Sequence, residues 1–296
     1  MAAAALAAAV SLVSSCGSAG SASAPSGQAQ PARTGAATGQ VSSQVATEAL
    51  DWFFPATAAQ YTAGAQYQGE ILSLTSQLMN ACMARSGFHT PTESAAAAAS
   101  TIWNLSQFPD FAQMRSTGLM VPEPPSTPSP PSAPSAAKQQ AYSADESRCQ
   151  TTAAAPFSHL QSAAASLTNA WIDTFTGIQA SARVQRTLSG FTSCVERAGA
   201  PVGYAQNFNR FAVWAGAQVQ NARSYAGSLA ADRHWGSVFA RCGQATETLF
   251  EKLQSSARAA FFQEHHQKIT ELETLVSQTV TAAGHQLASP EPAASG

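Results

Sequence analysis

Residues 149–178, CQTTAAAPFSHLQSAAASLTNAWIDTFTGI, place Cys149, Ala153, Phe157, Leu160, Ala164, Leu167, Trp171, Phe175 and Ile178 at a sustained three- and four-residue spacing. That spacing returns to one side of an α-helix at every turn and predicts a long helix buried along its length. Pro156 either kinks this helix or marks its first turn. On the N-terminal side, Ile71, Leu74, Leu78 and Cys82 form a shorter stripe. It should stop at Gly87, which tolerates the left-handed φ that follows a C-cap, with Pro91 shortly beyond. A further helix is expected over residues 93–105. On the C-terminal side, Val184, Leu188, Phe191, Val195 and Ala198 precede Gly199 and Pro201, and one last long helix is expected to run from Trp235 through Cys242, Leu249, Phe261, Ile269 and Val276 to Val280. No segment shows strand alternation of comparable length, so the expected fold class is all-α.

The four cysteines of this region lie in a weak duplication. Residues 82–87 read CMARSG and residues 194–199 read CVERAG, with Cys, Arg and Gly at the same offsets. Arg148-Cys149 is followed by Phe157, Leu160, Gln161 and Ser162, and Arg241-Cys242 by Phe250, Leu253, Gln254 and Ser255, again at identical offsets. Two blocks that each put one cysteine at the end of a helix and another near the start of a longer one read as a unit used twice, about residues 60–180 and 181–285. Of the three connectivities open to four cysteines, the repeat favours Cys82 with Cys149 and Cys194 with Cys242. Reduced, buried cysteines acting as small hydrophobes are the alternative. A metal site is less favoured, because the chain has no C-x-x-C pair.

The ends have different compositions. Residues 1–15, MAAAALAAAVSLVSS, are small and apolar and run directly into Cys16, the layout of a signal peptide. Leu12-Val13-Ser14-Ser15-Cys16 resembles a bacterial lipobox, which implies a lipid on Cys16; the alternative is an Ala-rich tail. Residues 16–48 then form a tether of Gly, Ser, Ala, Gln and Pro with too little to bury, long enough to hold a body on the order of 30 Å from an anchor. Residues 49–285 form the helical domain, and 286–296 a disordered tail. Within the domain, residues 121–134 hold seven prolines in fourteen positions and read as an extended surface insert. This insert is a semi-rigid loop or, in a functional reading, a partner ligand or glycosylated stretch.

At Cys82-Met83, Gly87 and Phe88, and again at Cys194 and Gly199, the chain resembles a broad group of uncharacterised actinobacterial lipoproteins. These typically pair a C-M-x-x-x-G-F element with a later cysteine, then repeat the arrangement before a long C-terminal helix. The resemblance covers about residues 60–280. It implies a secreted or lipid-anchored helical protein, and it implies no activity.

Chemistry is sparse. Charged residues make up only 11% of the chain, so solvent faces must be built from Ser, Thr, Gln and Ala. Fifteen basic and 17 acidic residues give a net charge of −2, from which no attraction for phosphates or acidic lipid is expected, and no nucleic-acid signature is found. Glu264-His265-His266 is the densest polar cluster, but adjacent helical residues point about 100° apart, whereas zinc helices present ligands one turn apart. Asp145 with Glu146, and Glu271 with Glu273, are the nearest carboxylate pairs for glycan hydrolysis; solvated helix faces are the plainer reading. Trp103, Trp171, Trp214 and Trp235 are expected in the core. No metal or cofactor is expected. The favoured function is a non-catalytic envelope protein, anchored by lipid to the outer face of the cell membrane or else secreted, that binds another protein, a glycan or a lipid through a helical surface. An extracytoplasmic hydrolase acting on envelope material is the alternative.

Overall fold

The computed structural model describes residues 38–90, 94–95, 108–119 and 136–288. The described residues build eight α-helices and no strand. In order these are α1 (Thr38–Phe53), α2 (Ala58–Arg85), α3 (Phe111–Thr117), α4 (Ala136–Ala180), α5 (Ala182–Arg197), α6 (Phe208–Gln220), α7 (Tyr225–Glu264) and α8 (His266–Ala288). Starts are marked by short polar side chains that satisfy the first free backbone N–H groups. Thr57 accepts from Gln60 N, Asn207 from Arg210 N and Ser224 from Gly227 N.

Two apolar cores organise the helices. α1, α2, α4 and α8 close the first around Phe54, Tyr67, Leu160, Trp171 and Val276. α3, α5, α6 and the first half of α7 close the second around Phe111, Phe191, Phe208, Phe211 and Phe239. Helix α7 belongs to both. Its 40 residues, about 60 Å at 1.5 Å per residue, carry Phe239 into the second core and Phe261 into the first.

Cys82 is bonded to Cys149 and Cys194 to Cys242, the pairing that the repeated offsets favour. The duplication extends to the backbone. After each N-terminal cysteine the helix ends in the same reversal: Gly87 and Gly199 take φ of 77° and 100°. Phe88 N then bonds back to Met83 O, and Ala200 N to Val195 O. Both are Schellman caps with a buried residue, Met83 or Val195, one position after the cysteine. Two closed bridges are the chemistry of an oxidising compartment. Among the described residues no helix is long and apolar enough to cross a membrane.

The structure departs from the expectations at several boundaries. The tether was expected to reach residue 48, but α1 begins at Thr38, because Val45, Ala46, Ala49 and Leu50 bury one face. The tail was expected from residue 286, but α8 continues through Ala288, with Leu287 against the first core. The single last helix is two, broken at His265, although His265 N still reaches Phe261 O and Ile269 N still reaches His265 O. Pro156 neither starts nor ends α4, which runs unbroken past it. Burial of Ala153, Phe157 and Leu160 on either side outweighs the lost hydrogen bond. The two repeat units are not two bodies in space: α3, from the first, packs in the second core, and α8, from the second, packs in the first. Cys16, residues 1–15, most of the helix expected at 93–105 including Trp103, the insert at 121–134 and residues 289–296 lie outside the described residues.

Helix α3 sits directly on α7 because two glycines, seven residues apart, leave room for it. A Cβ on Gly236 would lie 2.8 Å from Gly118 Cα, and one on Gly243 would run into the ring of Phe111. Gly236→Ala should therefore lower the urea unfolding free energy by about 1–3 kcal/mol through overpacking. Gly190→Ala, at a helix position with open space around it, should raise it by about 0.5–1 kcal/mol. Equal shifts at the two sites would refute the close approach. Replacing Cys194 and Cys242 together by serine releases a loop with a sequence separation of 48. In the chain-entropy account this should cost about 4 kcal/mol in the same assay.

Candidate functional site

The second core is built mainly from aromatic rings, and it does not stop at the surface. Phe239 lies 5.2 Å from Phe211 between ring centres, and Phe211 lies 6.0 Å from Trp235. Trp235 meets Trp214 edge-to-face at 4.6 Å, and Trp214 stacks on Tyr204 at 6.4 Å. The rings thus form a continuous column from a fully buried phenylalanine to an exposed tyrosine. Rigid rings in mutual contact lose little further freedom when something covers them.

At the outer end of the column the loop between α5 and α6 is held in place. Tyr204 N bonds Pro201 O in a tight turn, and Thr192 Oγ1 donates to the carbonyl of the buried Ala205. Arg210 Nη1 donates to Gln206 Oε1 at 2.6 Å and reaches Gly203 O at 3.5 Å. This turn presents Val202, 71% exposed, beside Tyr204, 46% exposed, while α6 presents Val213, 66% exposed. Arg210 lies three and four residues before Val213 and Trp214, on the same face of α6. Trp214 and Trp235, expected in the core, are half-buried and connect it to this patch.

Charge is segregated on the same body. Residues 181–245 contain seven arginines, from Arg183 to Arg241, no lysine, and only two acids, Glu196 and Asp232. All seven arginines are exposed, whereas Glu196 is half-buried and Asp232 buried. Among the described residues none of the seven forms an ion pair. The rest of the chain holds eight basic against 15 acidic residues. The net charge of −2 is thus the balance of a cationic region and a more acidic remainder, a division that the whole-chain value hides.

The other candidates lie apart from the patch. His265 packs its ring against Phe261 at 4.4 Å, and His266 is exposed. Among the described residues no group of three or more His, Cys, Asp or Glu could hold a metal ion. Asp145 pairs with Arg148 at 2.6 Å, and Glu271 accepts from Gln267. Glu271 also lines an open groove of about 320 Å³ between α4 and α8, with Lys268, Leu167 and Leu272. Trp171 is buried as expected and donates its indole N–H to Pro55 O at 3.2 Å.

Where the two cores meet, α7 carries buried ionisable groups. Asp51 and Arg258 pair at 2.7 Å. Burial outweighs their attraction, pushing the carboxyl up and the guanidinium down from their ordinary values. Glu247, 5% exposed, is raised well above its ordinary value by burial first and by Glu251 one turn on second. Glu251 accepts the Ala58 N–H at 3.2 Å.

Comparison with known proteins returned no match: no family model fits the chain, and neither a curated protein nor a solved structure matches it. The patch therefore rests on its own geometry. It was missed in the sequence because charge was read over the whole chain; counting arginines against acids within residues 181–245 would have found it.

Burial of Glu247 fixes the sign of a pH effect. Its folded value lies above the ordinary 4.5, so the folded chain keeps a proton that the unfolded chain has lost. That contribution is complete below about pH 4.5 and is lost as pH rises through the folded value. Glu247→Gln, with no proton to lose, should match the parent in unfolding free energy near pH 4 and exceed it at pH 8. A difference independent of pH would contradict the assignment.

Proposed function

We propose that the chain is a cell-surface lipoprotein, held by lipid on Cys16 at the outer face of the cell membrane, whose helical body binds a component of the envelope without catalysis. The observation that carries the binding part is the exposed Tyr204, stacked on the Trp214–Trp235 pair, with the exposed Val202 beside it on the same turn and the exposed Val213 on α6. Apolar groups at such exposure, beside rings braced by a buried core, are costly to leave in water and gain when covered. The loop that bears them is held by hydrogen bonds, so little ordering opposes binding. The two bridges support an extracytoplasmic setting. The anchor is supported by the small-residue run into Cys16.

Photo-crosslinking in intact cells tests the reading. A photoreactive residue in place of Val213 should give a defined adduct with an envelope component, while one in place of the exposed Ser162 on α4 should not. Mass spectrometry of the mature N-terminus should find an acylated Cys16. Equal labelling from both positions would remove the binding site, and an intact Met1 would remove the anchor.

A further inference from the structure

We propose that the Val202–Tyr204–Val213 patch docks on an anionic phospholipid surface. The inference rests on the binding reading above and names its partner. Charge complementarity selects the sign, since every ionisable side chain exposed on residues 181–245 is an arginine, apart from His234 and the Tyr204 and Tyr225 phenols. Arg210, which reaches Gly203 O and lies one turn before Val213 on α6, places one of these charges at the patch itself and favours a negative surface there. The residue type suits phosphate: the planar guanidinium pairs with two phosphate oxygens, as it does with a carboxylate, and residues 181–245 hold no lysine.

The apolar part selects lipid over glycan. Sugars are held on open ring faces, but Trp214 and Trp235 turn edge-to-face into each other and Tyr204 lies against Trp214. The most exposed groups are the aliphatic Val202 and Val213, which have no face for a sugar and suit the acyl boundary. Tyrosine and tryptophan behind them sit at headgroup depth in such an arrangement, with arginine reaching the phosphates. A second copy of this chain is disfavoured as occupant, because a self-complementary contact here would bring two arginine-rich surfaces together.

Vesicle co-sedimentation of the full chain carrying Cys16→Ser, which removes any acyl contribution, tests the proposal. Binding to phosphatidylglycerol vesicles should be about tenfold or more tighter than to phosphatidylcholine vesicles, and should weaken as salt is raised. In the same background Arg210→Gln should weaken binding about fivefold, the effect of one basic residue near an anionic surface. Val202→Asp with Val213→Asp should weaken it at least about tenfold, with the thermal transition unchanged because both positions are exposed. Any contribution of residues 1–15 is common to all these chains and cancels in the comparison. Equal binding to both vesicles, or undiminished binding of the double aspartate variant, would overturn the proposal. If vesicles fail to bind while the Val213 crosslinker still captures a protein or glycan in cells, the lipid partner is wrong and the wider binding reading stands.

Discussion

Helix α7 has to be buried twice, and the arrangement of the other helices follows from that. One continuous stripe carries Val238, Phe239 and Cys242 into one core and Phe261 into another, so neither core can close without the same rod. The first half is covered by α3, α5 and α6, the second meets the corner between α1 and α2. A chain with 11% charge has few ways to mark the outside of its helices. Shape does that work here: glycines at 236 and 243 admit α3, and the phenylalanine rings of the second core interlock edge to face. Close packing of this kind is intolerant of added volume.

The covalent frame complements the shared rod. Each bridge ties the end of a shorter helix to the middle of a longer one, and each is followed by the same backbone reversal at Gly87 or Gly199. The duplicated device joins α2 to α4 in one place and α5 to α7 in the other. The surrounding helices are then exchanged between the halves, so a sequence repeat has become a local structural motif instead of a pair of domains.

Much of this was legible. The α4 stripe and the two glycine stops follow from spacing, and the cysteine pairing is the one that the repeat favours. The seven-residue α3 offers only Phe111 and Met114 as buried positions, too few to display a period, and its place depends on glycines more than a hundred residues away. The first turns of α1 read as linker because Ser, Thr and Gln dominate them; the contacts that order Val45 and Ala49 are tertiary. The break at His265 coincides with the polar run from Gln263 to Lys268, between the buried Phe261 and Ile269. For the patch, the whole-chain charge averaged away a local excess. Val213 and Trp214, moreover, look alike in sequence to the buried residues beside them, yet one is exposed and the other half-exposed.

Helices α1 and α8 lie outside both covalent loops, 82–149 and 194–242. What holds α1 is the apolar face of Ala49 and Leu50, the Asp51–Arg258 pair, and the corner where Pro55 O and the Ala58 N–H bond Trp171 and Glu251. If the body is held by its N-terminus, tension enters through α1 and meets noncovalent contacts alone, these and its packing on α2 and α8. Under load the molecule would yield in sequence, α1 peeling away as a compliant leader while the cross-linked frame behind it keeps its shape.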